Sequence, residues 1–492
     1  MINHNRNIAS NLSRTLLCTC TAITISACSF QQYAAKPIDQ IAGIERFQQK
    51  DPANADFQQY LLSNGYTEKN LPLQQWNADD LTFCALFFHP SLDVARAQWR
   101  LAEQAEARAT ERPIASLSGH FANSNQANSD NSPYAFGLSI DIPIETANKR
   151  DIRIENARHL SLAAKLEVAQ SAWQLRKDVV QSLNDYQFNQ QQINLLTNEE
   201  ARRGEIAAIY QKRVDLGAAS NVELSTAKLL LQTATSELNA KKYNRLVLRA
   251  KLASSTGLPL AKIESMHFIF EADNQKQADY PPAGNLQTTA LLNRLDIRIA
   301  LERYAVSEAK LKLEIAKQYP NLVISPGYAY EFGDSIWSLG LSGLLTILNK
   351  NKLAIAEATQ LREVEAAQFE ALQAKTIAQA DTANVELMLA KQALDNQQKL
   401  REQQQLNTQR SERKLNAGEI DRLELAFSQL ENLNADKSVA VLQFQLRAAQ
   451  NQLENALQIP LSAINNTGEN KPKNIIKLED LSDKEPNNRT KE

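Results

Sequence analysis

Two short segments of this 492-residue chain place acidic side chains at matching distances behind a glycine. Each has a glycine, a helix-capping residue and a glutamate: Gly217, Ser220 and Glu223 in one, Gly418, Asp421 and Glu424 in the other. The two glycines lie 418 − 217 = 201 residues apart. In a ring around a pore, such carboxylates would favour cations and close the pore electrostatically. The alternative is structural, because an acid in the first turn of a helix also stabilises its positive end.

Other reactive side chains are few and scattered. No two of the five histidines (His4, His89, His120, His159 and His267) are close in sequence, and no HExxH, CxxC, phosphate-loop or nucleophile-elbow motif occurs. Neither an enzyme, a cofactor nor a metal site is therefore predicted. The net charge is −2 and no long basic run occurs, so nothing indicates nucleic-acid binding.

The N-terminus has the pattern of a secretory signal. Arg6 and Arg14 precede an apolar stretch from Leu16 to Ile25, followed by Ser26, Ala27 and Cys28. A cut directly before Cys28 resembles a bacterial lipobox, whose cysteine is acylated. An ordinary signal peptide with a chance cysteine is the alternative. Removal of residues 1–27 would leave Cys84 as the one free thiol, which excludes a disulfide framework.

The acidic segments lie within two long tracts that lack proline. No proline occurs between Pro143 and Pro259, or between Pro326 and Pro460. Proline and glycine break helices, so each tract predicts two long helices folded back at Gly217 or Gly418. From Asn148 to Leu216 the first arm would be about 100 Å long at 1.5 Å per residue. The return arms carry leucine and alanine at 3–4 spacing, which predicts close antiparallel packing.

Two pairs of alternating segments precede these tracts. In the first pair Leu117 and Phe121 share a face, and Tyr134 to Ile144 places apolar side chains at every second position. Each strand has about ten residues, which is enough to cross a bilayer at a tilt. Four such strands cannot close a barrel, and open edges are not tolerated in lipid. The chain is therefore expected to oligomerise.

The predicted fold is mainly α with a membrane β-barrel contribution, built from a duplicated strand hairpin and long helical hairpin. The predicted boundaries are a signal peptide at 1–27, an irregular extended segment at 28–85, repeat 1 at 86–260 (β-hairpin 114–144, helical hairpin 148–257), a linker at 261–290, repeat 2 at 291–461 (β-hairpin 321–347, helical hairpin 351–458) and a disordered tail at 462–492.

Over roughly residues 85–463 the chain resembles the TolC family of outer-membrane efflux factors. The resemblance is carried by the helix starts His89-Pro-Ser-Leu-Asp93 and Arg294-Leu-Asp-Ile-Arg298, the strand exit Ile142-Pro143-Ile144, and the segments Arg213 to Leu224 and Lys414 to Leu425. At the second strand exit, Leu345-Thr346-Ile347 departs from the usual proline. The family implies a homotrimer with a twelve-stranded barrel and a periplasmic helical tunnel. Its partners would be outer-membrane lipid, a periplasmic adaptor (membrane fusion protein) and an inner-membrane efflux pump.

The resemblance also assigns roles to particular residues. The acidic pore constriction of the family matches Glu424, with Glu223 as its counterpart and Asp421 beside it. The adaptor would contact the tips at Arg213, Leu216, Gly217, Ser220, Lys414, Leu415 and Gly418; the alternative is solvated turns without a partner. An aromatic belt at the membrane interface is expected from Tyr134, Phe136, Tyr328, Tyr330, Phe332 and Trp337. The alternative is a platform that stacks sugars or bases, which their alternating strand positions disfavour.

These observations predict a lipid-anchored channel in the outer membrane of a Gram-negative bacterium, with a large periplasmic part. It would serve a tripartite efflux or secretion system. The alternative is a periplasmic coiled-coil scaffold lipoprotein without a channel. The four alternating strands favour the channel, because a scaffold has no reason to duplicate them.

Overall fold

The computed structural model describes residues 31–125, 132–270, 283–343 and 350–460. The predicted signal peptide, Cys28, the tail and Leu345 to Ile347 lie outside these residues. The chain divides into two compact units, one ending at Gln49 and the other beginning at Lys50. The described part of the first unit contains helix α1 (Ala42–Gln48), which has no buried residue.

The second unit contains two repeats with the same order of elements. Repeat 1 consists of α3 (Ala78–Phe88), α4 (Pro90–Ala109), β1 (Ser116–Asn123), β2 (Tyr134–Ile144), α5 (Lys149–Asp215) and α6 (Asn221–Thr256). Repeat 2 consists of α8 (Ala283–Asn293), α9 (Leu295–Ala316), β3 (Leu322–Glu331), β4 (Asp334–Gly343), α10 (Lys352–Asn416) and α11 (Arg422–Leu457). Helix α2 (Ala55–Ser63) precedes repeat 1, and α7 (Leu260–Glu264) follows it.

The expectation of an irregular extended segment at 28–85 was wrong, because α2 and α3 lie within it. Eight of the eleven α3 residues are buried, including Leu81 and Phe83. A helix that is apolar on every side shows no 3.6-residue period, which is why the sequence concealed it. The predicted linker at 261–290 also needs correction, since it includes α7 and most of α8. Each repeat therefore begins one helix earlier than expected.

The four strands form one antiparallel sheet in the order β1-β2-β3-β4. The two hairpins join through β2 and β3, where Phe136 pairs with Tyr330 and Ile144 with Leu322. On β2 the apolar side chains from Tyr134 to Ile144 are exposed, whereas Ala135 and Gly137 on the other face are buried. Strands β1 and β4 form the two edges of the described sheet.

The long helices pack as a row in the order α6–α5–α11–α10. The predicted return seams are at the contacts, since Ala234 and Leu238 on α6 and Ala426 and Leu430 on α11 are buried. Alanine at these positions allows close approach of neighbouring helices. Helix α3 packs against α5 and α6, and α8 packs in the same way against α10 and α11. The duplication in the sequence is thus a duplication in packing.

Candidate functional site

Both helical hairpins turn through the same backbone motif. Gly217 and Gly418 have φ of +70° and +74°, a left-handed conformation that glycine adopts without strain. The amide after each glycine donates to the carbonyl five residues earlier: Ala218 to Arg213 at 2.6 Å, and Glu419 to Lys414 at 2.9 Å. This is the Schellman arrangement that ends many helices. The fold-back points predicted from the two glycines are therefore where the structure has them.

The first tip is closed by its own residues. Ser220 caps α6 and accepts a hydrogen bond from the Glu223 amide, while Glu223 Oε2 accepts from the Ser220 amide and hydroxyl, both at 2.8 Å. The backbone hydrogen bond from Ser220 is the main reason why the pKa of Glu223 lies below its ordinary value. This capping box matches the structural alternative for Glu223, because its carboxylate is directed back to the helix end.

The second tip is connected to the first. Asp421 Oδ1 accepts from the amides of Leu423 at 2.8 Å and Glu424 at 3.0 Å, so Asp421 is the cap that its position predicts. Its other oxygen, Oδ2, forms an ion pair with Arg213 at the end of α5. The hydrogen bond from the Glu424 amide, together with Arg213, holds the pKa of Asp421 below its ordinary value. Sequence reasoning did not foresee this connection between the repeats.

Glu424 differs from the other two acidic residues. It is exposed in the first turn of α11 and, within the described part of the chain, its carboxylate makes no ion pair or hydrogen bond. Of the three residues predicted at a constriction, it is the one whose charge stays available to a lumen. The pore itself is a prediction, since the described contacts are those of a single chain.

The remaining tip residues are arranged around the two turns. Leu216 is 83% exposed and Lys414 is exposed, whereas Leu415 is half-buried. Next to the tips, α5, α6 and α11 enclose an apolar groove lined by Ile206, Tyr210, Val222, Leu230, Phe427 and Leu430. The structure therefore presents the predicted contact residues beside a groove that spans both hairpins. Whether an adaptor binds there stays a prediction.

The sheet register brings the predicted aromatic residues together near the strand ends remote from the helices. Phe136 stacks on Tyr330 with ring centroids 5.4 Å apart, and Tyr328 lies 4.9 Å from Trp337. Tyr134 stacks on Phe121 at 6.1 Å, a residue that the sequence analysis did not include in this group. Phe332 follows β3, and its amide donates to the Tyr134 carbonyl. An aromatic layer on one sheet face results.

A second feature that sequence reasoning missed is a series of polar contacts between α5 and α11. Its members are Gln170–Gln458, Trp173–Asn455, Arg176–Glu454, Gln191–Arg447, Glu199–Lys437 and Arg213–Asp421. Burial alone would raise the pKa of Glu199, but hydrogen bonds from Lys437 and Arg203 outweigh it and lower that pKa. Antiparallel register between distant segments could not be read from local sequence.

The described ranges contain neither a metal-binding cluster nor a helix that could span a membrane. No group of three or more His, Cys, Asp or Glu side chains there is arranged to hold a metal ion. Across those same residues, every helix is too short or too polar to span a bilayer.

Solved structures of outer-membrane channels share this fold. The channel OprN superposes with a TM-score of 0.65 at 17% identity, covering 87% of this chain and 99% of OprN. The CmeC outer membrane channel of Campylobacter jejuni gives 0.63 at 15% identity, covering 87% and 93%. The outer membrane protein VceC of Vibrio cholerae gives 0.63 at 15% identity, covering 78% and 96%. The fold is that of TolC-like outer-membrane channels.

The sequence supports the same class. Residues 85–258, which comprise nearly all of repeat 1, match the family model for outer membrane efflux proteins. No curated protein sequence matches the chain. The resemblance and the mainly α fold class predicted from the sequence are confirmed. The family match and the shared fold together support an efflux channel function.

Proposed function

We propose that this protein is the outer-membrane channel of a tripartite efflux or secretion system. It passes substrates from a periplasmic adaptor and an inner-membrane pump to the cell exterior. The family match of residues 85–258 and the fold shared with OprN and CmeC support this function. Acylation of Cys28 would add a lipid anchor in the outer membrane of a Gram-negative bacterium.

The proposal depends on one observation: the described sheet of a single chain has two unpaired edges and cannot close into a barrel by itself. Its sheet has edge strands at both sides, and β1 and β4 run antiparallel to each other because the order is β1-β2-β3-β4. Strand β4 of one copy can therefore pair with β1 of the next in the same alternating sense. Three copies would give twelve strands in a closed barrel, which removes every edge from lipid.

The helices are incomplete in the same way. At the outer sides of the row, α6 exposes Leu229 and Leu246, and α10 exposes Met388 and Leu389. Apolar stripes on both flanks fit contact between α10 of one copy and α6 of the next. The contacts within one chain are different, because the α5–α11 interface is rich in polar pairs. Neighbouring copies would thus complete both the sheet and the helical wall.

The tips supply the proposed gate and adaptor contact. Three copies of Glu424 around a narrow lumen would attract cations and disfavour anions. Leu216, Lys414 and the apolar groove beside them offer a surface for a helical adaptor. The competing function is a scaffold lipoprotein without a channel. It leaves unexplained why both repeats contribute to one sheet with an exposed apolar face.

The first experiment measures oligomeric state and conductance of the full chain. We expect a trimer by light scattering in detergent and cation-selective channels in planar bilayers. A monomer, or a trimer without conductance, would rule out the channel.

For the adaptor contact, Lys414→Glu should reduce co-purification with the adaptor, because Lys414 is exposed and its charge is unpaired among the described residues. Lys399→Glu, an exposed lysine on the same helix, is the control, and an equal effect of both would contradict the assignment.

A further inference from the structure

The distribution of lysine and arginine around the sheet is uneven. Residues 113–148 and 318–349, which include both β-hairpins, contain neither residue. Cations begin at once on both sides, with Arg112 and Lys149 flanking the first stretch and Lys317 and Lys350 flanking the second. Because composition changes so sharply at these four positions, the positive charges mark a boundary of the sheet.

The four positions that flank the hairpins lie at the same end of the sheet, where the strands connect to the helices. The register pairs Ser116 at the start of β1 with Asp141 near the end of β2, and pairs Leu322 at the start of β3 with both Ile144 and Gly343. Every transition between strand and helix therefore occurs at the same end. Contacts across the transitions agree, since Thr146 donates to the Pro320 carbonyl at 2.7 Å. The cations that flank the hairpins lie at a common level.

Some of these cations serve the protein itself. Lys149 donates to the Tyr319 carbonyl at 2.5 Å and to Asn321 at 2.6 Å. Arg153, Lys312 and Lys317 form ion pairs with glutamates. Five others lie at this level or within about two helical turns of it, and their exposed side chains make no ion pair or hydrogen bond with the described residues. We name these the basic collar: Arg108, Arg112, Lys310, Lys350 and Lys352.

Apolar side chains lie in sequence beside the collar residues. Ile114, two residues after Arg112, is 91% exposed, and Leu353, next to Lys352, is 87% exposed. Tyr319 is also exposed, two residues after Lys317. Positive charge combined with exposed apolar and aromatic side chains is the composition of protein surfaces that lie at lipid headgroups. The far end of the sheet has the opposite charge, with Glu331 and Asp334 at the β3–β4 turn.

Acidic side chains are also exposed near this level, at Glu111 and Asp151, but Lys350 and Lys352 have no acidic residue in their own helical turn. Lys350 and Lys352 lie at the start of α10, where the helix dipole disfavours positive charge, and the first turn of α10 has no acidic residue. An anion bound from outside the protein would stabilise the positive charges of both lysines at that helix N-terminus. The arrangement thus complements a negatively charged surface at the level where the sheet ends.

We propose that the basic collar binds anionic phospholipid headgroups in the leaflet on the helical side of the membrane. The sheet would occupy the hydrocarbon core, and the collar would fix its depth at the periplasmic boundary. Attraction between basic side chains and an anionic leaflet acts within a Debye length and weakens with salt. This inference rests on the proposed membrane position of the sheet.

The test compares lipid preference in four forms of the full-length protein purified in neutral detergent: wild type, a collar variant, a control variant and a charge-preserving variant. The collar variant carries Arg112→Gln, Lys310→Gln, Lys350→Gln and Lys352→Gln. The control carries Lys242→Gln, Lys251→Gln, Lys375→Gln and Lys399→Gln, which removes equal charge from exposed positions on α6 and α10. Retention of fluorescent phosphatidylglycerol is measured against phosphatidylcholine, at low salt and at about 1 M salt, where the Debye length is only about 3 Å.

We expect wild type and control to prefer phosphatidylglycerol about tenfold at low salt, and the collar variant to lose that preference. High salt should reduce wild type to the level of the variant. A charge-preserving form with Lys310→Arg, Lys350→Arg and Lys352→Arg should retain the preference. The inference is overturned if the collar variant keeps the preference, or if the control loses it equally.

Conductance in phosphatidylcholine bilayers separates this inference from the channel itself. If wild type forms conducting trimers but shows no preference for phosphatidylglycerol, the collar inference fails and the channel stands. If wild type forms neither trimers nor channels, the proposed function fails, and the collar inference fails with it.

Discussion

The two helical tips share one backbone and use it differently. Both turn at a left-handed glycine with Schellman hydrogen bonds. In the first tip Glu223 returns to Ser220 and completes a capping box, so the tip is closed on itself. In the second tip Asp421 caps α11 alone and also pairs with Arg213, so Glu424 keeps its charge free. Duplication preserved the turn, whereas the carboxylates acquired separate roles.

The same divergence occurs along the helices. Glu199 on α5 is buried against Lys437, but the residue 201 positions later, Leu400 on α10, is 56% exposed. Position 257 is glycine and position 458 is glutamine, although both are left-handed. The α5–α11 contact inside one chain therefore includes a buried ion pair, where the corresponding position on the outer helix α10 has an exposed leucine. This difference fits a wall in which flanks meet other copies.

The largest effect is expected at Gly257. Its φ is +71°, and an added Cβ would lie 2.7 Å from the Cα of His89. Gly257→Ala should lower the free energy of unfolding by about 3 kcal/mol, combining the left-handed conformation with the clash. Gly418→Ala, with φ of +74° and open space, should cost only about 1 kcal/mol. Equal losses in denaturant unfolding would show that the contact with His89 is not restrictive.

The buried pair between the repeats should have the next largest effect. Lys437→Met leaves Glu199 with Arg203 as its remaining partner in a site where its side chain is 7% exposed. We expect the free energy of unfolding in denaturant to fall by about 2 kcal/mol, because a buried carboxylate loses one of two compensating cations. Adding Glu199→Leu, the residue type at position 400, should recover most of this loss. No recovery in the double variant would mean that Lys437 acts elsewhere.

The cap of the second tip should have a smaller effect. Asp421→Ala removes the acceptor for the Leu423 and Glu424 amides and should cost about 1 kcal/mol. Asp421→Asn keeps the acceptor and loses the charge, so its cost should be well below that of alanine. Hydrogen exchange at the two amides provides the measurement. Equal exchange rates in wild type and Asp421→Ala would contradict the capping role.

Acid should lower the local stability of both tips, because the pKa values of their carboxylates are lowered in the folded state. Glu223 and Asp421 have pKa values in the folded state that lie below their ordinary ones. Their contribution to stability is therefore complete above the ordinary carboxyl pKa, about 4. It is lost as pH falls through the folded pKa. Hydrogen exchange at the α6 and α11 N-termini should therefore show opening free energies that fall only below about pH 4. A Glu223→Gln, Asp421→Asn variant, which removes both titrating carboxylates, should lack this acid-dependent step.

Glu424→Gln should have the smallest effect on stability and the largest effect on ion selectivity. Glu424→Gln removes an exposed charge that is unpaired among the described residues, so unfolding should change by less than about 0.5 kcal/mol. Cation-over-anion selectivity in planar bilayers should fall about twofold or more. Glu223→Gln should leave selectivity unchanged, because that carboxylate is held at Ser220. A larger selectivity change from Glu223→Gln would reverse the roles assigned to the two tips.

Much of this architecture was determined by sequence alone, for local reasons. Glycine at 217 and 418, the long stretches without proline and the alternation from Tyr134 to Ile144 act through backbone freedom and side-chain period. Helices α3 and α8 escaped these rules. In α3 the burial of eight of eleven residues hides the period, and in α8 the two residues buried in its core cluster, Leu286 and Ala290, give too weak a pattern.

Only the tertiary structure decided which carboxylate stays free and which strands become neighbours. The pairing of β2 with β3 and of Arg213 with Asp421 joins residues 178 to 208 positions apart, and no local preference encodes such a register. Glu223 and Glu424 have the same spacing from a glycine in the sequence. Ser220, three residues before Glu223, binds that glutamate locally, whereas only the fold brings Arg213 of the other hairpin to Asp421, three residues before Glu424.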